Sequence, residues 1–208
     1  MEYKVIVVGI GPGSPDYILP IASRSIAQAQ VVVGSQRALD AFAPSGILTK
    51  VIDRDIQGVL DFISECLTKS DVVVMVSGDP GFYSLLVALR SKFTSLQLTV
   101  IPGISSMQLA FARMSEVWQD AKLISMHGRR ASDEDLQYKP NTKLGILTDH
   151  EHSPSRIAQI LMEYGWPAHG QVWLGEGLSY EEENQKKLTL GETKDIIGFT
   201  HCVMVVMA

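Results

Sequence analysis

Three short segments in the first half of the sequence bring glycine together with polar side chains. Residues 9–13 read Gly-Ile-Gly-Pro-Gly, residues 77–81 read Ser-Gly-Asp-Pro-Gly, and residues 102–106 read Pro-Gly-Ile-Ser-Ser. Glycine lets a ligand approach the backbone closely, and the serine hydroxyls and the aspartate carboxylate offer hydrogen bonds and charge. The three segments are therefore candidate binding loops, although glycine and proline also serve ordinary turns.

Each candidate loop follows a short apolar run. The runs cover residues 5–8, 72–76 and 98–101, and a further run covers residues 31–33. Continuous runs rich in β-branched residues predict strands that are buried on both faces of a sheet. These strands alternate with helical patterns, which predicts right-handed crossovers and a mostly parallel sheet. We therefore expect the three loops at one carboxyl edge, where open α/β folds bind ligands.

The pattern changes near residue 120, beyond which strands dominate. One helix is expected there, with Ser153 as its N-cap, Pro154 in its first turn and Gly165 just past its end. Five strands are predicted, at residues 123–126, 144–147, 172–174, 187–190 and 203–207. The run at 187–190 alternates polar and apolar residues, which predicts a half-exposed antiparallel strand. We predict an α/β protein of two domains, residues 1–116 with a mostly parallel sheet and residues 117–208 with a mixed sheet.

Composition and charge exclude several classes of protein. The chain has 208 residues, of which 46% are hydrophobic, and it carries 18 Lys+Arg against 23 Asp+Glu, a net charge of −5. The apolar content is enough for a sizeable core, and the acidic balance disfavours a nucleic-acid partner. Two cysteines are too few for a disulfide framework or a cysteine zinc site. No run reaches the roughly 18 apolar residues of a membrane span, so we expect a cytoplasmic protein without a membrane partner.

The first loop does not have the pattern of a nucleotide-binding loop. The third glycine of the dinucleotide fingerprint is missing, and residues 33–36, Val-Gly-Ser-Gln, hold no carboxylate for a ribose. Pro12 lacks the backbone N–H that a pyrophosphate needs, and no P-loop lysine follows. Asp79 in the second loop would repel a phosphate but suits a nearby cation. These residues favour a ligand with a sulfonium and an amino group and without phosphate.

In combination, the loops resemble those of a known family. Residues 9–13 with Leu19, residues 78–80 with Tyr83, and residues 102–106 are similar to the tetrapyrrole (corrin/porphyrin) methylases, class III methyltransferases that use S-adenosylmethionine (SAM). The resemblance covers essentially the whole chain. It implies a homodimer of two α/β domains with SAM in the cleft between them.

Further stretches narrow the resemblance within the family. The segments are residues 33–39, 125–129, 148–149 and 175–178, and they are most similar to members that methylate carbon 5 of a precorrin, cobalt-precorrin-7, in cobalamin biosynthesis. In a fused relative the same activity is followed by a second, decarboxylating domain, so a separate decarboxylating C(15)-methyltransferase is an expected partner. Other members of the class methylate other tetrapyrrole positions or RNA, and a non-catalytic SAM- or tetrapyrrole-binding protein stays an alternative.

The resemblance also implies roles for individual residues. The SAM site would be lined by Pro12, Gly78, Asp79, Phe82, Ser105 and Ser106, with Met126, Leu147 and Thr148 from the second domain. The tetrapyrrole would contact Gly11, Gly13 and Tyr83, and its carboxylate arms would bind Arg37 and Arg129. No catalytic residue is assigned firmly, and His127 is the candidate for a substrate contact or a proton acceptor. Residues 149–152, Asp-His-Glu-His, precede a helix start, so we expect no metal site there and assign any cobalt to the substrate.

Overall fold

A computed structural model describes residues 3–208 and divides the chain after Ser105 into two compact units. In the first unit, five strands form one parallel sheet in the order β3-β2-β4-β1-β5. The strands are β1 (Val5–Gly9), β2 (Val31–Gly34), β3 (Leu48–Val51), β4 (Val72–Val76) and β5 (Leu98–Ile101). The helices are α1 (Pro20–Ala27), α2 (Gln36–Phe42), α3 (Ile56–Cys66) and α4 (Leu86–Lys92), and a 3₁₀ turn covers Pro15–Tyr17.

Both faces of this sheet are covered by helices. In β2, Val31 and Val33 pack on the face that carries α3 and α4, while Val32 packs on the face that carries α1 and α2. The continuous valine runs are thus explained by burial on two sides, as parallel sheets require. β5 differs, because it is an edge strand whose Thr99 and Val100 are exposed. The prediction of burial on both faces is wrong for this strand, because at the edge of the sheet neither of its faces is fully covered.

The second unit is a mixed sheet in the order β6-β7-β10-β8-β9, in which only β6 and β7 are parallel. Its strands are β6 (Ala121–Ser125), β7 (Lys143–Leu147), β8 (Gln171–Glu176), β9 (Asn184–Thr189) and β10 (Cys202–Met207), and its helices are α5 (Ser106–Met114), α6 (Asp133–Leu136), α7 (Pro154–Glu163) and α8 (Leu190–Thr193). The two α/β units, one parallel and one mixed, confirm the predicted fold class.

Helix α7 begins and ends as its sequence predicts. The Ser153 hydroxyl accepts a hydrogen bond from the Arg156 backbone N–H, and Pro154 is the first helical residue. Gly165 follows the helix with φ of +89°, a conformation that glycine adopts without steric cost. The expected half-exposed antiparallel strand at residues 187–190 corresponds to the end of β9, at the edge of the sheet beside β8, except that Leu190 already begins α8.

The boundary between the compact units lies earlier than the boundary predicted at 116/117. Helix α5 belongs to the second unit, because it packs against β7 and β10. Nothing in the local pattern of α5 distinguishes a helix that closes one unit from a helix that opens the next. Among residues 3–208, every helix is too short or too polar to cross a membrane.

Candidate functional site

The three glycine-containing loops meet at one edge of the parallel sheet. They follow β1, β4 and β5, which are neighbours in the order β4-β1-β5. Gly11 and Gly78 form an antiparallel bridge, in which the Gly78 N–H donates to the Gly11 carbonyl at 2.8 Å. The expectation that these loops share one edge is thereby confirmed.

Two glycines allow this close contact between the loop backbones. A Cβ atom on Gly103 would lie 2.2 Å from the Gly78 carbonyl oxygen, and a Cβ atom on Gly9 would lie 2.6 Å from the Gly103 nitrogen. Real Cβ atoms do not approach other heavy atoms so closely, so any side chain at either position requires the backbone to move. These glycines are needed for the loops to pack on one another, independently of any ligand.

Asp79 ties the second loop to the third. One carboxylate oxygen, Oδ1, accepts a hydrogen bond from the Gly81 N–H at 2.8 Å, and the other, Oδ2, accepts one from the Gly103 N–H at 3.0 Å. A carboxylate oxygen can accept more than one hydrogen bond, so Asp79 keeps acceptor capacity for a ligand. In the structure, Asp79 first of all positions the second and third loops relative to each other, a role that its sequence pattern does not predict.

This hydrogen bonding also bears on the kind of ligand that the edge accepts. A phosphate at the end of a strand is bound by free backbone N–H groups. Here the N–H groups of Gly78, Gly81 and Gly103 already donate to Gly11 and Asp79, and a negative charge lies among them. The arrangement fits a cation such as a sulfonium and disfavours a phosphate.

Tyr83 follows the second loop, residues 77–81, and has an unusual backbone conformation. Its φ is +50°, which is rare for a residue with a bulky side chain and costs free energy. The residue is 43% exposed, and its ring meets the half-buried Phe82 ring edge-on at 4.9 Å. The loop thus holds an exposed aromatic ring beside the glycine backbones, a placement compatible with the predicted contact to a flat macrocycle.

The remaining predicted residues of the first unit lie as follows. Gly11 is buried with φ of +79°, and Pro12 and Gly13 are half-buried after it. Ser105 is buried, close to Gly78 in the second loop. Arg37 is exposed in the first turn of α2, which follows β2 and so begins at the same carboxyl edge. Ser106 belongs to the second unit, where it begins α5.

In the second unit, the predicted residues other than Ser106 lie at one edge of the mixed sheet. β10 is antiparallel to β7, so the start of β10 lies beside the ends of β6 and β7. Met126 is fully buried, and its N–H donates to the Leu147 carbonyl at 2.9 Å. The Thr148 hydroxyl accepts from the Cys202 N–H at 2.9 Å and lies within hydrogen-bond distance of the Cys202 carbonyl. Met126 and Thr148 therefore act first as supports within the sheet.

His127 follows Met126 and has an exposed ring. Its Nδ1 atom lies 3.2 Å from the Thr148 carbonyl oxygen. A carbonyl only accepts hydrogen bonds, so this contact requires the hydrogen on Nδ1 and leaves the Nε2 lone pair of the neutral ring available. The geometry suits the predicted role of His127 as a proton acceptor. Arg129 is exposed in the same loop.

The Asp-His-Glu-His segment forms a tight turn. Burial raises the pKa of Asp149, but backbone N–H groups of Gly128, His152 and Glu151, together with the His152 ring, outweigh it and lower that pKa to about 2. These N–H groups lie 2.6–2.9 Å from the carboxylate. Across the described part of the chain, no three His, Cys, Asp or Glu side chains are grouped so as to hold a metal ion. The Cys202 thiol is buried, which raises its pKa to about 12 and keeps it protonated.

Residues 4–194 match the family model described as Tetrapyrrole (Corrin/Porphyrin) Methylases. The chain belongs to this family. The match covers both units and all three loops, so the family predicted from the sequence is confirmed.

Individual relatives agree with this assignment. The chain is 34% identical over 177 residues to a cobalt-precorrin-7 C(5)-methyltransferase of Salmonella typhimurium, an alignment that covers 85% of this chain and 86% of the relative. It is 31% identical over 162 residues to a decarboxylating precorrin-6Y C(5,15)-methyltransferase of Sinorhizobium sp, covering 77% of this chain and 39% of that longer protein. The uroporphyrin-III C-methyl transferase of Thermus thermophilus, solved as a complex with S-adenosylhomocysteine, has the same fold, with a TM-score of 0.74, 20% identity, and coverage of 98% of this chain and 92% of that chain.

Several functional features of the site had no clear signal in the sequence. The turn sequence Asp-Pro-Gly is typical of a local contact such as the one between Asp79 and Gly81. The contact between Asp79 and Gly103 joins residues 24 positions apart, so no local pattern predicts it. His150 was considered only as part of residues 149–152, and His201 had no signal at all, yet the structure places the His201 ring close to the rings of His127 and His150. Such contacts depend on strand order, which residue spacing alone does not reveal.

Proposed function

We propose that this methylase transfers a methyl group from SAM to carbon 5 of a precorrin in cobalamin biosynthesis. The observation that carries the proposal is the convergence of three loops in which the N–H groups of Gly78, Gly81 and Gly103 are already occupied and the one carboxylate is that of Asp79. That edge suits a sulfonium rather than a phosphate. Membership of the tetrapyrrole methylase family gives the class of acceptor, and the relative from Salmonella typhimurium, named for carbon 5, supports the position.

The proposal keeps the SAM-binding residues that the family resemblance implies. SAM supplies an electrophilic methyl group on a positively charged sulfur. In the first unit the binding residues are Pro12, Gly78, Asp79, Phe82 and Ser105. Ser106, Leu147 and Thr148 contribute from the second unit, and the buried Met126 supports the loop that carries His127. Gly11, Gly13 and Tyr83 contact the macrocycle, and Arg37 and Arg129 bind its carboxylate arms.

The chemistry needs alignment and one proton acceptor. Carbon 5 of the substrate forms the new carbon–carbon bond as the sulfur–methyl bond breaks, and the proton on carbon 5 then leaves. His127 accepts that proton at Nε2, because its Nδ1 is held as a donor by Thr148. The loops contribute most by holding the methyl donor and carbon 5 in line, an effect that can reach ~7–11 kcal/mol in favourable cases.

Two further features belong to the proposal. The chain forms a homodimer, as the family resemblance implies, and a separate decarboxylating C(15)-methyltransferase is its partner in the same biosynthesis. The second feature is supported by the longer Sinorhizobium relative, whose name includes both activities and of which this chain spans 39%.

SAM binding by Asp79 variants tests the placement of the site. We expect Asp79→Arg to abolish SAM binding in calorimetric titration, because a cation replaces an anion beside the sulfonium. Asp79→Asn keeps the size of the side chain but loses the charge and replaces one accepting oxygen with an NH2 group, so it is expected to weaken binding roughly tenfold. Asp195→Arg is the matched control, because Asp195 is largely exposed in the second unit.

The same preparations are incubated with methyl-labelled SAM and a precorrin mixture. Label is expected in the tetrapyrrole fraction with the wild-type protein and with Asp195→Arg, and not with Asp79→Arg. Unchanged SAM affinity in both Asp79 variants would contradict the placement of the site. Binding of SAM and tetrapyrrole by the wild-type protein without transfer of label would identify a non-catalytic binding protein instead.

A further inference from the structure

Three histidine rings gather at the edge of the mixed sheet that carries His127. The ring centroids of His127 and His201 are 5.7 Å apart with an interplanar angle of 60°, and those of His201 and His150 are 6.1 Å apart with an angle of 25°. The three residues come from different loops, after β6, after β7 and immediately before β10. All three are exposed. We call His127, His150 and His201 the imidazole cluster.

The members of the cluster have different hydrogen-bonding capacity. His127 uses its Nδ1 hydrogen on the Thr148 carbonyl, so its neutral ring has no second N–H to offer. His150 and His201 each carry at least one ring N–H. His201 lies between the other two rings, edge-on to His127 and nearly parallel to His150, which restricts its orientation. His150 and His201 are therefore the donors of the cluster, and His127 helps to position His201.

The acidic side chains around the cluster are largely satisfied by backbone donors. Asp149 accepts three backbone N–H groups, and Glu176 Oε1 accepts the Thr200 N–H at 3.2 Å. Glu151 is highly exposed, and its carboxylate reaches only 3.9 Å from His150 Nε2. A loose and exposed contact of this length is readily replaced. Arg129, on the loop after β6, adds a positive charge to the same sheet edge.

We propose that His150 and His201 bind a carboxylate arm of the tetrapyrrole substrate, with His127 positioning His201. This inference rests on the proposed function, which supplies a substrate with several carboxylates. One carboxylate accepts hydrogen bonds of about 2.8 Å through each of its two oxygens, and two such bonds span the separation of these rings. A divalent metal is a poorer occupant, because no metal-holding group of three side chains is formed among residues 3–208.

The test uses uroporphyrin, a tetrapyrrole with eight carboxylates, as a fluorescent probe. We expect the double variant His150→Gln/His201→Gln to bind uroporphyrin roughly tenfold more weakly than the wild-type protein, since two donors to a charged group are lost. The dissociation constant for SAM should stay unchanged. His169→Gln is the matched control, because His169 is exposed but precedes β8, at the opposite edge of the same sheet. With protoporphyrin, which has two carboxylates, the difference should shrink.

Proton NMR of the histidine Cε1–H signals provides a second test of carboxylate binding, carried out on the folded wild-type protein. Addition of uroporphyrin should shift the signals of His150 and His201 and leave the signal of His169 in place. Equal uroporphyrin affinity of the wild-type and double-variant proteins, or unmoved His150 and His201 signals, would overturn the inference. So would binding of Zn²⁺ at micromolar concentration that the double variant abolishes. Failure of the wild-type protein to bind SAM would instead count against the proposed function.

Discussion

At the scale of single residues, Gly103 has two functions in the third loop. Its N–H donates to Asp79, and its lack of a side chain lets the Gly78 carbonyl approach. Asp79 in turn uses both carboxylate oxygens on backbone N–H groups of two loops. The ligand-binding edge is thus built largely by backbone contacts, and side chains at this edge depend on these contacts for their positions.

The Gly103 contact leads to a prediction for Gly103→Ala. The added methyl group would lie 2.2 Å from the Gly78 carbonyl oxygen, so the third loop must move and the bond to Asp79 must stretch. We expect a loss of about 1–3 kcal/mol in the free energy of unfolding in urea, together with a clear loss of SAM affinity.

Gly46→Ala serves as the control for this change. No atom lies within 4 Å of a Cβ at Gly46, although its φ of +79° makes alanine strained. We expect a cost of roughly 1–2 kcal/mol from the backbone alone and unchanged SAM affinity. If Gly103→Ala bound SAM as tightly as Gly46→Ala, the packing of the three loops would not matter for the cofactor.

At the scale of elements, helix α5 is fixed to the turn between β8 and β9 by one ion pair. Arg113 donates to Glu183 through Nε at 2.7 Å and through Nη2 at 3.1 Å. Glu183 also accepts the Ser179 N–H at 2.8 Å. The hydrogen bond from Arg113 is the main reason that the pKa of Glu183 falls from 4.5 to about 2, against the opposing effect of burial.

The lowered pKa of Glu183 predicts how the free energy of unfolding depends on pH. The pKa of Glu183 is lower in the folded protein than in the unfolded chain, so its contribution is present above about pH 4.5 and is lost as the pH falls towards 2. We expect Glu183→Gln to lower the free energy of unfolding by about 2 kcal/mol at pH 7. This value is smaller than the pKa shift alone would give, because the Arg113 side chain is partly exposed and solvent screens the ion pair. The difference should vanish near pH 2.

Urea unfolding at a series of pH values measures this effect, with Glu181→Gln as the control. Glu181 is an exposed neighbour in the same turn, and its replacement should leave the pH dependence unchanged. A Glu183→Gln protein with the acid sensitivity of the wild type would show that the ion pair does not anchor α5.

The elements differ in how far the sequence predicted them. β4 and β5 have the predicted limits, and α7 has the predicted cap and stop, because these signals are local. β3 was not predicted, since its four residues are partly or fully exposed at the sheet edge and show no apolar run. The exposure of β5 depends on its place at the other edge, which the order of strands decides and local pattern does not.

At the scale of the whole molecule, both units follow one rule. Apart from Ser106 at the start of α5, each collects its candidate binding residues at a single sheet edge, from loops that are distant in sequence but adjacent through strand order. The glycine loops of the first unit could be predicted, because each follows a recognisable strand. The imidazole cluster of the second unit could not, because antiparallel pairing brings the start of β10 beside the ends of β6 and β7.

The central claim, methyl transfer to carbon 5, is tested most directly by locating the transferred methyl group. The protein is incubated with SAM carrying a ¹³C methyl group and with cobalt-precorrin-7, and the product is examined by carbon NMR. We predict a single new ¹³C methyl signal, with carbon–carbon coupling to carbon 5 when that carbon is also labelled. A label at another carbon, or on a heteroatom, would contradict the account.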